Sequence, residues 1–164
     1  MNELVNFLKQ ADIFYQLTPT QLEMIANIAQ ERTYDSGEII VEEGSASKEL
    51  YIVIRGEASV FVNPALVGGA ELKKGEVPVS TMRRGQSFGE IALVDEGLRS
   101  ATVRASLKNT RLLLIPRDKL LMLCETYPQL GYRMMYNLAA DLAMKIRNTD
   151  LRIRESLLQT LHNR

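Results

Sequence analysis

From Arg32 to Ile115 the chain breaks into short β-prone runs divided by glycine, and this segmentation constrains the fold more than any other feature. Glu38 to Val41 lies between Gly37 and Gly44. Leu50 to Ile54 is an apolar run ended by Arg55-Gly56-Glu57, and Ala58 to Val62 resumes the strand character. Asn63 to Lys74, with Pro64, Gly68 and Gly69, reads as a long hairpin loop. Val77 to Met82, Ala101 to Ser106 and Leu112 to Ile115 complete the set. Many short strands at near-regular spacing predict an antiparallel barrel or jelly roll, and a jelly roll of the double-stranded β-helix type is the fold expected.

Helical signals flank this region, so the expected class is mainly β with an N-terminal helix and a long C-terminal helix. Thr18-Pro19-Thr20-Gln21 supplies an N-cap, a proline at the first helical position and the glutamine of a capping box. Leu17 and Leu22 stand where a hydrophobic staple would close that turn, and Leu22, Ile25, Ala26 and Ala29 share one face. After Pro116 the helical period returns. Lys119 to Thr126 forms one helix, broken before Pro128, and Gln129 to about Leu161 forms another with no glycine or proline after Gly131. The chain therefore divides into a β-roll with N-terminal helices, 1–127, and a C-terminal lid or dimerisation helix, 128–164.

On that last helix Leu138, Leu142, Ile146, Thr149, Ile153 and Leu157 step by three or four. The outer half of this stripe runs beyond what the β region would cover. A partner helix is its natural cover, in a homodimer or another protein; a helix folded back on its own barrel is the alternative. Met134, Met135 and Met144 read as adaptable packing residues.

The 164 residues make one domain, or one with a helical extension, and 46% apolar content is enough for a core. Lysine plus arginine equals aspartate plus glutamate at 20 each, so no net field draws the chain to nucleic acid. Arg147, Arg152 and Arg154 are interrupted by Asp150 and Glu155 and read as a solvated face. Cys124 is the only cysteine and His162 the only histidine, which excludes an intrachain disulfide and an ordinary His/Cys metal site. Cys124, among Leu120, Leu121, Met122 and Leu123, reads as a buried structural thiol. Asp95 and Glu96 read as a solvated loop pair, and no enzyme is expected. Glu3 and Lys9 argue against a signal peptide, and no apolar run approaches a membrane span. A soluble cytoplasmic protein without a membrane partner is the expectation.

The chemistry concentrates at Phe88-Gly89-Glu90-Ile91-Ala92-Leu93 and, after a loop, at Arg99-Ser100-Ala101-Thr102-Val103. Such a segment can bring one cation, one carboxylate and several backbone N–H groups to a single point. Arg99 would hold a phosphate through paired planar donors, and Gly89 would let the backbone approach closely. Residues from Glu90 to Leu93 would begin a short helix whose amides face an anion. Glu90 would be repelled by a phosphate, so its task would be to accept a hydrogen bond from a sugar hydroxyl. Ser100 adds a hydroxyl beside Arg99. The bland alternative keeps Arg99 as a solvated cation and Glu90 as a first-turn carboxylate favoured by the helix dipole.

Phe88 to Val103 closely resembles the phosphate-binding cassette of cyclic nucleotide-binding domains. That family is shared by bacterial catabolite-activator-type regulators, protein kinase A regulatory subunits and cyclic nucleotide-gated channels. Gly37-Glu38-Ile39-Ile40, Gly44 and Tyr51-Ile52-Val53-Ile54-Arg55-Gly56-Glu57 are similar to its glycine-punctuated early strands, and the likeness spans about Phe7 to Asn148. The resemblance implies that Glu90 takes a ribose 2′-hydroxyl and Arg99 the cyclic phosphate. Gly89 and the N–H groups of Ile91 and Ala92 would assist, with Ser100 as a further contact. It also implies a lid over the base from the long helix, for which Tyr132, Met135, Tyr136 and Lys145 are candidates. Leu98 stands where many members have proline.

The ligand expected on this resemblance is cAMP, with cGMP as runner-up because of Ser100. Nothing after the long helix reads as a helix-turn-helix, so no DNA-binding domain is expected. The function expected is a stand-alone cyclic nucleotide sensor relaying through its C-terminal helix to a homodimer or an unidentified protein effector. The alternative is a ligand-independent structural or dimerisation module of the same fold.

Overall fold

The computed structural model describes residues 2–64 and 75–162. Among these residues, eight strands form two four-stranded antiparallel sheets. They are β1 (Gln30–Tyr34), β2 (Ile39–Val41), β3 (Glu49–Arg55), β4 (Ala58–Val62), β5 (Val77–Met82), β6 (Ser87–Phe88), β7 (Thr102–Ala105) and β8 (Thr110–Pro116). One sheet runs β1-β8-β3-β6 and the other β2-β7-β4-β5, the jelly-roll arrangement expected. The hairpin loop read over Asn63 to Lys74 lies, from residue 65 on, outside the described residues, although β4 and β5 on either side of it pair antiparallel.

The apolar run in β3 is continuous because both faces of this strand are covered. Successive side chains on a strand point to opposite faces. Leu50 and Ile52 enter the cluster shared with the helices, whereas Tyr51 and Val53 enter a second cluster between the sheets. Its neighbour β8 divides in the same way, Leu113 and Ile115 toward the helices and Leu112 between the sheets. By contrast β1 begins at Gln30, two residues before the region read as β, and only Tyr34 of its five residues is buried. It is an edge strand carrying Glu31, ion-paired to Arg111 of β8.

The helices are α1 (Asn2–Leu8), α2 (Pro19–Ile28), α3 (Ile91–Val94), α4 (Arg117–Thr126) and α5 (Pro128–His162), with a 3₁₀ turn at Asp12–Phe14. The capping box of α2 is formed: Gln21 N–H donates to Thr18 Oγ1 at 3.3 Å and Thr18 N–H to Gln21 Oε1 at 2.9 Å. Leu17 and Leu22 are both buried, as a staple requires. Cys124 is half-buried rather than buried, a correction that follows from its place on the margin of α4, packed against the core without entering it. Burial pushes its thiol pKa up, with Glu125 adding to the effect.

Helix α5 starts inside the domain and leaves it. Leu130, Met134 and Leu138 belong to the cluster that holds Phe14 and Ile25, but Ile146, Ile153 and Leu157 are exposed. Buried Asn137 fixes the helix to the 3₁₀ turn, donating from Nδ2 to Ile13 O (3.0 Å) and Tyr15 O (2.8 Å). Asn137→Leu is expected to cost about 2 kcal/mol, since two hydrogen bonds disappear and two carbonyls lose their donor. Urea unfolding should show the loss as a lower midpoint at unchanged slope. Among the described residues no helix is long and apolar enough to cross a membrane.

Candidate functional site

The site grows from the short strand β6. Phe88 pairs with Tyr51 of β3 and stacks on its ring, centroids 4.9 Å apart and planes within 3°. Gly89 then turns the chain at φ +81°. Glu90 opens the single turn of α3, and the following loop carries Arg99 back to β7. Gly44 N–H donates to Arg99 O (2.8 Å) and Arg99 N–H to Ser45 O (2.9 Å), which ties the arginine's backbone to the loop before β3.

Arg99 is only 8% exposed, which excludes the solvated-cation alternative. Its Nε donates to Ser47 Oγ (2.9 Å), Nη1 to Gly89 O (3.3 Å) and Nη2 to Glu49 O (2.7 Å). Those bonds use three of the five N–H donors of a guanidinium. The acceptors are neutral; the nearest acidic group is the Glu49 carboxylate at 3.9 Å. The Tyr51 ring lies 5.8 Å from the guanidinium carbon. Burial lowers the Arg99 pKa, opposed by Tyr51, Glu49 and Glu90. The result is a rigid, dehydrated cation with donors to spare, the condition in which an anion is bound most strongly.

Glu90 is 6% exposed. Its Oε1 accepts from Lys145 Nζ of α5, while Oε2 is buried without a hydrogen-bond partner among the described residues. Asp141, one turn earlier on α5, holds the same ammonium at 2.8 Å. Burial acts to lower the Lys145 pKa, but Glu90 and Asp141 outweigh it and the pKa is raised.

A cavity of about 410 Å³ opens between the cassette and the inner face of the second sheet. Gly89, Glu90, Ile91, Ala92, Arg99, Ser100 and Lys145 line it on one side, and Val41, Val60, Met82 and Val103 form its apolar wall. Ser100 is exposed at its margin, and Leu98, 64% exposed, also borders it. The Ala92 N–H donates within the turn to Gly89 O at 3.2 Å. The structure does not bring Tyr132, Met135 or Tyr136 to the cavity. Met135 packs against the core, and the two tyrosines are exposed with Arg133 over both rings. The reason is helical rise: Lys145 lies roughly 20 Å further along the axis than Tyr132, at 1.5 Å per residue. Ser47, Glu49 and Asp141 were not singled out from sequence. Of these only Asp141 leaves a local signal, its i,i+4 spacing from Lys145.

The cavity of this jelly roll is thus lined by a buried arginine, able to donate to an anion, and by a buried carboxylate whose second oxygen, unpartnered among the described residues, can accept from a hydroxyl. Residues 31–127 match the sequence model of the cyclic nucleotide-binding domain, and the chain belongs to that family. It is 32% identical over 146 residues to the cyclic AMP receptor protein of Thermus thermophilus, covering 89% of this chain. It spans only 62% of the length of that relative. A cyclic nucleotide-binding domain from Methylobacillus flagellatus superposes with a TM-score of 0.79 at 22% identity, covering 94% of this chain and 83% of that one, a likeness of fold. The regulatory domain of Toxoplasma gondii PKA, crystallised with cAMP, gives a TM-score of 0.62 at 25% identity over 74% of this chain and 43% of its own.

Proposed function

We propose that this chain is a cAMP sensor, with cGMP as the second ligand to test. Glu90 would accept the ribose 2′-hydroxyl and Arg99 would bind the cyclic phosphate. Gly89, Ile91, Ala92 and Ser100 would complete the pocket. Binding would then be relayed through α5 to a second copy of the chain or to a protein effector. The role is regulatory rather than catalytic. The observation carrying this reading is the pairing of buried Arg99, with two donors unspent, and buried Glu90, with Oε2 unpartnered, on one cavity. Similarity to the Thermus cyclic AMP receptor protein and to the Toxoplasma PKA regulatory domain crystallised with cAMP supports cAMP as the ligand.

Thermal unfolding with and without nucleotide tests the reading directly. A ligand that binds only the folded state stabilises it by about 2.7 kcal/mol at a hundred times its Kd. Millimolar cAMP should therefore raise the melting temperature by several degrees. No shift with cAMP or cGMP would favour the other reading, a ligand-independent dimerisation module. The exposed apolar side chains of Ile146, Ile153 and Leu157 speak for an α5 interface in either case. Sedimentation equilibrium with and without cAMP would show whether dimerisation depends on the ligand.

A further inference from the structure

We propose that Lys145 is a positioning residue for the ligand's sugar hydroxyl, holding Glu90 by Oε1 so that Oε2 is presented to the cavity. This rests on the cyclic nucleotide reading above. It assigns α5 to the sugar end of the ligand, where a helix lid would have placed it over the base.

Three observations carry the assignment. Lys145 is the one residue of α5 among the described residues lining the cavity. Its ammonium has three donors. It donates to Glu90 Oε1 and, at 3.4 Å, to Ser87 O, and it is ion-paired to the Asp141 carboxylate at 2.8 Å, so the ammonium is fixed at the Glu90 end of the cavity. The Glu90 side chain is 8% exposed, and its second oxygen has no partner among the described residues. A buried carboxylate is tolerable only when its charge is compensated and its lone pairs are used. Lys145 supplies the charge; a hydroxyl from the ligand supplies the missing donor. Because Asp141 anchors the ammonium from its own helix, Lys145 stays in place when the ligand arrives. Hydroxyl, Glu90 and Lys145 then form one hydrogen-bonded chain from the sugar to α5, each bond strengthening the next, with the Asp141 charge holding its far end.

The test titrates cAMP and 2′-deoxy-cAMP against the wild type, Lys145→Met and Lys145→Arg by calorimetry, with circular dichroism to establish that each variant is folded. Lys145→Met should lose about tenfold in affinity for cAMP, the weight of one hydrogen bond to a charged group. It should lose less than about twofold for the 2′-deoxy ligand, which has no hydroxyl to position. Lys145→Arg, which keeps the charge, should restore most of the cAMP affinity. Equal losses for both ligands, or no loss for either, would overturn the assignment. A wild type that binds neither ligand would instead sink the cyclic nucleotide reading, and this inference with it.

Discussion

Arg99→Ala should reduce cAMP affinity by about a hundredfold or more. Two guanidinium donors remain after the bonds to Ser47, Gly89 and Glu49, and a hydrogen bond to a charged group contributes about 1.5–3 kcal/mol. Two such bonds to one phosphate amount to about 3–6 kcal/mol, and each 1.4 kcal/mol is a factor of ten. Arg99 is also the one buried cation among the described residues, and its loss would leave Glu90 to repel the phosphate. Arg99→Lys should fall between the two proteins, because an ammonium keeps the charge and loses the planar fork. Calorimetry at fixed salt distinguishes these outcomes. An alanine variant that binds cAMP as well as the wild type would remove Arg99 from the site.

Gly89→Ala is expected to damage stability and binding together. At φ +81° an L side chain is strained by about 1–2 kcal/mol. A Cβ here would also stand 2.6 Å from Arg99 Nη1 and 2.8 Å from Glu49 O. The second of these atoms is backbone at the first residue of β3, an interior strand paired there with β8, and has no cheap way to retreat, so overpacking adds about 1–3 kcal/mol. The total is about 2–5 kcal/mol, a large share of the stability of a domain of this size. Relief would come first from Arg99, pushed off the two carbonyls that aim it. Denaturation should therefore show a lower midpoint, and saturating cAMP should recover less stability than in the wild type. A variant equal to wild type in both measurements would show that the turn reopens without cost.

Much of this site could be read from sequence because its chemistry is local. Gly89, Glu90, Arg99 and Ser100 fall within a dozen positions, and the need for a glycine, an acceptor and a forked cation follows from residue type alone. The strands of the interior were legible for a similar reason: Leu50 to Ile54 and Leu112 to Ile115 are apolar on both faces. Strand β1 was not, since an edge strand with Glu31 and Arg32 turned to solvent has no apolar alternation to show. Residues that hold the site together were hidden by another cause. Glu49 serves Arg99 through its main-chain carbonyl across 50 positions, and a carbonyl carries no signature of the side chain beside it.

The expected lid shows the same division most clearly. Tyr132 and Tyr136 suit a base by chemistry, yet among the described residues α5 meets the cavity only at Lys145, two to four turns further on. What the sequence determined by itself was the jelly-roll class, the capped helix α2 with the helical period after Pro116, and the charged pair Glu90 and Arg99, all written in patterns a few residues long. Tertiary structure alone decided which carbonyls aim the arginine and which residue of α5 reaches the carboxylate. Those contacts depend on how sheets and helices stack. Stacking is set by the summed packing of Leu50, Ile52, Met134 and Leu138, not by any feature of the residues it brings together.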